Sequence, residues 1–311
     1  MTLQTVKTYV VDISQRPWAR LAGQSVRWAL TLGVFALLVW RVRDIGWSDI
    51  TDHLPSSIWF YALIVLLYFV QPVSELLIYQ GLWRREGPIS FGVFLRKRVY
   101  NFAVMSYSGE AYLYMWARKA LSLGDRTILA AIKDNVVLSA LVSNTATVIM
   151  VLFFMATGQM QRFFQVSPDI QLYVAIAAGL ALVLAVAVLR FRHSVLSMAG
   201  KALRTVIQIH GLRLIVSLVL QALIWAIALP SVPLQTWLVL VTLQLVLTRI
   251  PFLPNQDLIF LTLVVSVAGH VEARDSAVAG TFLMITALTQ VLHLVSFIGA
   301  GFSKQTRIAT A

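Results

Sequence analysis

The chain has no cysteine, which excludes disulfides, zinc–thiolate sites and thiol nucleophiles. Charge is also scarce: only 12% of the 311 residues are Asp, Glu, Lys or Arg, while 59% are hydrophobic. No polar stretch is long enough for a separate catalytic domain. There is no GxSxG elbow, phosphate-binding glycine loop or HExxH, and no acidic pair of the kind that holds a metal for sugar-nucleotide transfer. The five histidines are scattered without ligand spacing. These absences argue against an enzyme, a resident metal and a cofactor.

What is present decides the class. Several apolar runs reach the about 20 residues that span a bilayer, too many for a water-soluble domain of this length to hide. The expected fold is an all-α polytopic membrane protein with about six full spans and two broken, re-entrant helical hairpins. The net charge of +12 could suggest nucleic acid. The basic residues, however, lie in short loops between apolar runs, which fits the positive-inside rule and contact with anionic bilayer lipids. Nucleic acid is therefore not an expected partner, and a homo-oligomer is left open.

Residues 1–27 read as a basic cytoplasmic lead and residues 28–311 as one transmembrane domain. No small-residue cleavage site accompanies the first apolar run, so it reads as a retained span. The expected spans are 28–40, 58–79, 127–155, 170–189, 212–229 and 277–301. Pro72 should kink the second, and the fourth, almost wholly aliphatic, should face lipid. With both termini cytoplasmic, twenty of the 25 Lys and Arg fall inside. Only Arg41, Arg43, Arg162 and Arg274 fall outside, and Arg249 lies within a break. A multi-pass protein of the bacterial inner membrane is expected on this pattern.

Two stretches interrupt the spans. Near 99–117, an aromatic segment is bracketed by Arg96, Lys97 and Arg98 on one side and Arg118 and Lys119 on the other. Its middle, Ser106-Tyr107-Ser108-Gly109-Glu110, is polar. Each half is too short to cross, so the segment reads as a hairpin entering and leaving on the cytoplasmic side. Irregular backbone at that depth has to line a cavity or be shielded by protein. Near 234–270, two short apolar runs flank Arg249, Pro251, Pro254, Asn255 and Asp257. Its mouth is on the opposite side, so the two broken segments suggest an inverted repeat with a binding site between them.

Polar residues recur at helical spacing: Gln71 and Glu75; Asn135, Ser139, Ser143 and Thr147; Ser217 and Gln221; Thr286, Gln290, His293 and Ser296. They line a polar cavity, or they are ordinary interhelical glue. Charges discriminate better, because an ionised group at mid-bilayer costs about 3 kcal/mol. Glu110 would share a helical face with Tyr114 and Arg118, and it either meets a ligand or is merely neutralised by a base such as Lys133. Arg249 and Asp257 either form a structural pair or leave Arg249 to meet a lipid phosphate. Lys133 and Asp134 are adjacent and point to different sides. His293 reads as a hydrogen-bonded interior residue before a proton relay.

Ser108-Gly109-Glu110, then Arg118-Lys119, then Lys133-Asp134 near the inner end of a polar span, resembles the transmembrane flippase region of the lysylphosphatidylglycerol synthases and their stand-alone relatives. Phe252-Leu253-Pro254 stands where a second proline motif would be. The first motif lacks its Pro-Gly, having Met105-Ser106, and the second has Asn255-Gln256-Asp257 in place of glycine and glutamate. The aminoacyltransferase domain of the full synthases is absent. The resemblance implies movement of a lipid or lipid-linked head group between leaflets, with an anionic or lipid-linked substrate. The expected substrate-binding residues are Glu110, Arg118, Lys133, Arg249, Asn255 and Asp257. Glu75, Ser106, Gly109, Tyr114, Asp134, Asn135, Ser139, Gln290 and His293 are expected to line the cavity. Two other functions remain open: a membrane glycosyltransferase or accessory acting on polyprenyl-phosphate sugars, and a non-transporting envelope scaffold.

Overall fold

The computed structural model describes residues 55–104, 106–161, 168–249, 260, 264 and 275–302. Among them are nine α-helices: α1 Ile58–Leu82, α2 Phe91–Ala103, α3 Ser108–Ala120, α4 Asp125–Ala156, α5 Pro168–Arg190, α6 Arg192–Val195, α7 Gly200–Ala228, α8 Leu234–Leu247 and α9 Asp275–Gly301. The described residues contain no strand. Helices α1, α4, α5, α7 and α9 are long and apolar enough to cross a membrane. The protein is thus an all-α polytopic membrane protein, and these five helices correspond to five of the six expected spans. The lead over 1–27 and the first expected span lie outside the described residues.

Local chemistry explains the boundaries. Ser90 caps α2, its Oγ accepting from the Gly92 amide at 3.3 Å. Pro230 and Pro233 separate α7 from α8. Pro72 sits inside α1, where it removes one backbone donor. Helix α7 starts at Gly200, well before the expected 212, because its first turns are helical even though Lys201 and Arg204 are exposed. The 32 residues of α4 make a rod about 48 Å long, against about 30 Å of hydrocarbon.

Helix α5 packs through Val174, Ala177, Ala181 and Ala185, and exposes Leu172, Ile176, Val183, Val186 and Leu189. One face of this helix is thus buried on α4 and α8, and the other is open and aliphatic. That agrees with the expectation that it faces lipid.

The hairpin begins earlier than expected, at Phe91, and its turn includes Val104, Ser106 and Tyr107, with Ser108–Glu110 already in the second helix. Each of its helices has 13 residues, about 20 Å, too short to cross. The pair is fastened tightly. Ser108 Oγ donates to the Tyr100 carbonyl at 2.6 Å, and the Gly109 amide donates to Asn101 Oδ1 at 2.6 Å. Asn101 thereby satisfies one of the free donors at the start of α3. Tyr107, at the tip, has φ +70°, a left-handed conformation that costs a non-glycine residue roughly 1–2 kcal/mol. On the other face, Tyr79, Trp83, Phe94, Tyr100, Tyr112, Trp116 and Phe297 form an aromatic cluster that seats the hairpin against α1 and α9.

The packing of the long helices follows a swap. Helix α1 lies along α7; Phe60 and Ile64 share a cluster with Trp225 and Leu229, and Ile78 shares another with Val206, so the two run antiparallel. Helix α2 packs on α9, and α8 packs on α4. Helix α1 also meets α2 and α9, and α7 meets α8 and α4. Exchanging α1 with α7, α2 with α8 and α4 with α9 maps each of these contacts onto another. This is the contact pattern of an inverted repeat.

Gly109 tests the hairpin. A Cβ there would lie 2.2 Å from the Lys97 carbonyl oxygen and 2.8 Å from the Asn101 side chain. Gly109→Ala is expected to cost about 1–3 kcal/mol through overpacking. Gly124→Ala, with nothing within 4 Å, should leave stability unchanged. Thermal unfolding in detergent micelles measures both.

Candidate functional site

The charges inside the bundle converge where the hairpin meets α1. Lys97 of α2 is 1% exposed, yet it carries an ammonium group. Its Nζ lies 2.6 Å from Glu75 Oε1 of α1 and 2.9 Å from Glu110 Oε1 of α3. One cation thus bridges two carboxylates from two other helices. Glu110 also lies in the first turn of α3, where the helix dipole favours negative charge. Glu110 Oε2 is buried and has no hydrogen-bond partner.

Beside this cluster is a polar cavity of about 490 Å³. Gln71 and Glu75 of α1, Arg98 of α2, Tyr107 at the hairpin tip and Glu110 of α3 line one side. Asn135, Ser139 and Ser143 of α4, His210, Arg213 and Ser217 of α7, and Arg249 just beyond α8 line the other. The broken segment entering from one end of the bundle and the short helix entering from the other therefore meet at the same cavity. Its polar walls contrast with the aliphatic outer surfaces of α5 and α7, where Leu212, Ile215 and Val219 are open.

Each arginine is held by neutral groups. Arg98 Nη1 donates to Gln71 Oε1 at 2.9 Å, and its guanidinium lies 4.5 Å from the centre of the Tyr68 ring. Arg213 Nη2 donates to Ser139 Oγ at 2.9 Å. Arg249 Nη1 donates to Asn144 Oδ1 at 3.3 Å, and its Nε to the Leu245 carbonyl at 3.4 Å. His210 Nε2 is 3.0 Å from Asn135 Oδ1. Chemically, the arrangement offers several N–H donors on rigid forks next to a carboxylate pair already spanned by a lysine.

Of the expected site residues, Glu75, Glu110, Asn135, Ser139 and Arg249 come together here. Others are placed elsewhere. Arg118 pairs with Asp125 at 2.8 Å, half-exposed, and stacks over Tyr114, two turns from Glu110. Ser106 is exposed in the turn, and Gly109 is buried at the α2–α3 contact. Gln290 and His293 are buried; the Nδ1 of His293 is 3.0 Å from the Tyr68 hydroxyl, and its ring stacks on Phe102. Asn255 and Asp257 lie outside the described residues.

Lys133 and Asp134 form a staple away from the cavity. Asp134 is fully buried and accepts from the Ser197 and Met198 amides at 2.8 and 2.6 Å. Lys133 reaches the Asp134 carboxylate at 3.2 Å and also the Val195 carbonyl. The base that neutralises Glu110 is Lys97 rather than Lys133.

Sequence reasoning passed over Lys97, Arg98, His210 and Arg213 as site residues. Lys97 and Arg98 read as the basic border of a hairpin starting at 99, and Arg213 as the inner end of a span. The spacing of His210, Arg213 and Ser217, three and then four residues, was the available signal. No family model, curated protein or solved structure matches the chain.

Two predictions follow from the ion cluster and the staple. Lys97→Met leaves two carboxylates buried without their cation and is expected to cost about 3–5 kcal/mol. The triple change that adds Glu75→Gln and Glu110→Gln should recover most of that loss, measured by thermal unfolding in detergent. Asp134→Asn removes a charged acceptor from two buried amides and should cost about 1–3 kcal/mol, read by faster limited proteolysis between Leu196 and Ala199.

Proposed function

We propose that this membrane protein is flippase-like and moves a lipid or lipid-linked head group between leaflets through the polar cavity. The observation that carries the reading is the meeting of Glu110 and Tyr107 from one end of the bundle with Arg249 from the other, around a single cavity of about 490 Å³. A head group would occupy that space while its tails stay in the bilayer beside the aliphatic faces of the outer helices. The resemblance to the flippase region of the lysylphosphatidylglycerol synthases supports the same reading.

The membrane is read as the bacterial inner membrane. Exposed basic residues, among them Arg84, Arg118, Arg126, Lys201 and Arg204, collect at the end where α1 finishes and α4 and α7 begin. The positive-inside rule assigns that end, and both termini, to the cytoplasm. The hairpin then enters from the cytoplasmic side. Arg98, Arg213 and Arg249 would meet the head group with hydrogen bonds from their guanidinium forks.

Reconstitution into liposomes tests the proposal. Leaflet exchange of a fluorescent acidic phospholipid is measured by a membrane-impermeant quencher. Exchange should fall about tenfold or more in Ser139→Trp, which fills the cavity, and in Arg249→Ala. Folded wild-type protein that exchanges no lipid class would refute transport.

A further inference from the structure

We infer that the cavity is built for a lipid whose head group carries at least two negative charges, a phosphomonoester or a diphosphate. This rests on reading the cavity as a head-group site and names the chemistry of its occupant. Among the described residues, the formal charges in and beside the cavity are four cations, Lys97, Arg98, Arg213 and Arg249, and two carboxylates, Glu75 and Glu110. The balance is +2.

That excess is concentrated on the arginines. Lys97 spans both carboxylates, so the negative charge of the site already has a close partner. The three guanidiniums come from α2, α7 and the end of α8, and none has a carboxylate within 4.0 Å among the described residues. Their partners are an amide, a hydroxyl, a second amide and a backbone carbonyl. Arg213 is within electrostatic range of both Arg98 and Arg249 and repels each of them. Arg98 Nε is buried with no partner. Glu75 attracts Arg98 and Arg213 at longer range but is held by Lys97, and buried guanidiniums hydrogen-bonded only to neutral groups favour a further anion.

The size of the excess selects the class of anion. A zwitterionic head group would leave the +2 in place, and a phosphodiester would halve it. A phosphomonoester, at about −2, neutralises it, and a diphosphate, at about −2 to −3 according to whether its far end is esterified, meets or exceeds it; both present several oxygens to guanidinium forks, which bind phosphate in a bidentate way. The cavity volume falls in the range of small-ligand sites, with space beyond a bare phosphate.

The test uses the purified full chain in detergent, with affinity measured directly and by ligand-induced thermal shift. Farnesyl diphosphate and farnesyl phosphate serve as short-tailed dianionic or more highly charged probes. They are expected to bind at least about tenfold more tightly than didecanoyl phosphatidylglycerol or didecanoyl phosphatidylethanolamine. Arg213→Gln and Arg249→Gln should each weaken farnesyl diphosphate about tenfold. Each variant also loses a hydrogen bond to α4, so affinities are compared only for variants that stay folded in detergent, and the loss is read as the ratio of farnesyl diphosphate to didecanoyl phosphatidylethanolamine affinity in the same variant. Equal or tighter binding of either diacyl lipid overturns the inference, as does unchanged affinity in both variants. Inorganic diphosphate binding as tightly as farnesyl diphosphate would make this a soluble-anion site and overturn the lipid assignment. Tight probe binding without leaflet exchange would sink transport but not this inference; exchange that favours phosphatidylethanolamine would do the reverse.

Discussion

The ammonium of Lys97, held between Glu75 and Glu110, is the contact on which the rest depends. It ties three helices together at the point where the chain fails to cross. A hairpin of two 13-residue helices is too short to span, and lipid tails give no hydrophobic drive toward the neighbouring helices. The ion cluster fixes where the hairpin sits, because moving any one of the three groups away leaves a buried charge without its partner. The aromatic cluster on the opposite face then sets the angle at which the hairpin seats.

That anchor also decides what the neighbouring cavity can hold. Because one lysine serves both carboxylates, the arginines facing them are left to amides and hydroxyls. The structural charge cluster and the open guanidinium forks are therefore two halves of one arrangement.

Much of this was legible in the chain. The five described spans follow from run length, and the two proline-marked ends of α7 and α8 from Pro230 and Pro233. The broken character of the stretch around Glu110 came from charge at both ends and a polar middle. Charge identity in the hairpin was harder to read. Lys97 and Arg98 adjoin Arg96, and three consecutive bases look like a topological border, so only the earlier helix start at Phe91 moves them into the interior. Arg213 was misread for a similar reason, since it stood at the inner end of the expected span, where a base is indistinguishable from a snorkelling one until its neighbours are known. Lys133 and Asp134 looked functional because they stood where the resembled family has a charged pair. Their partners are the backbone groups of a linker more than 60 residues away, which no local pattern announces.

The opposed entry of the two short segments has a mechanical consequence. A hairpin confined to one half of the membrane pushes lipids apart there and not in the other half. An unbalanced protein of that kind is a wedge and favours a curved bilayer. Here α8 enters from the other end of the bundle and stops after 14 residues, about 21 Å. A short helix entering from that end adds cross-section to the opposite monolayer and works against the wedge.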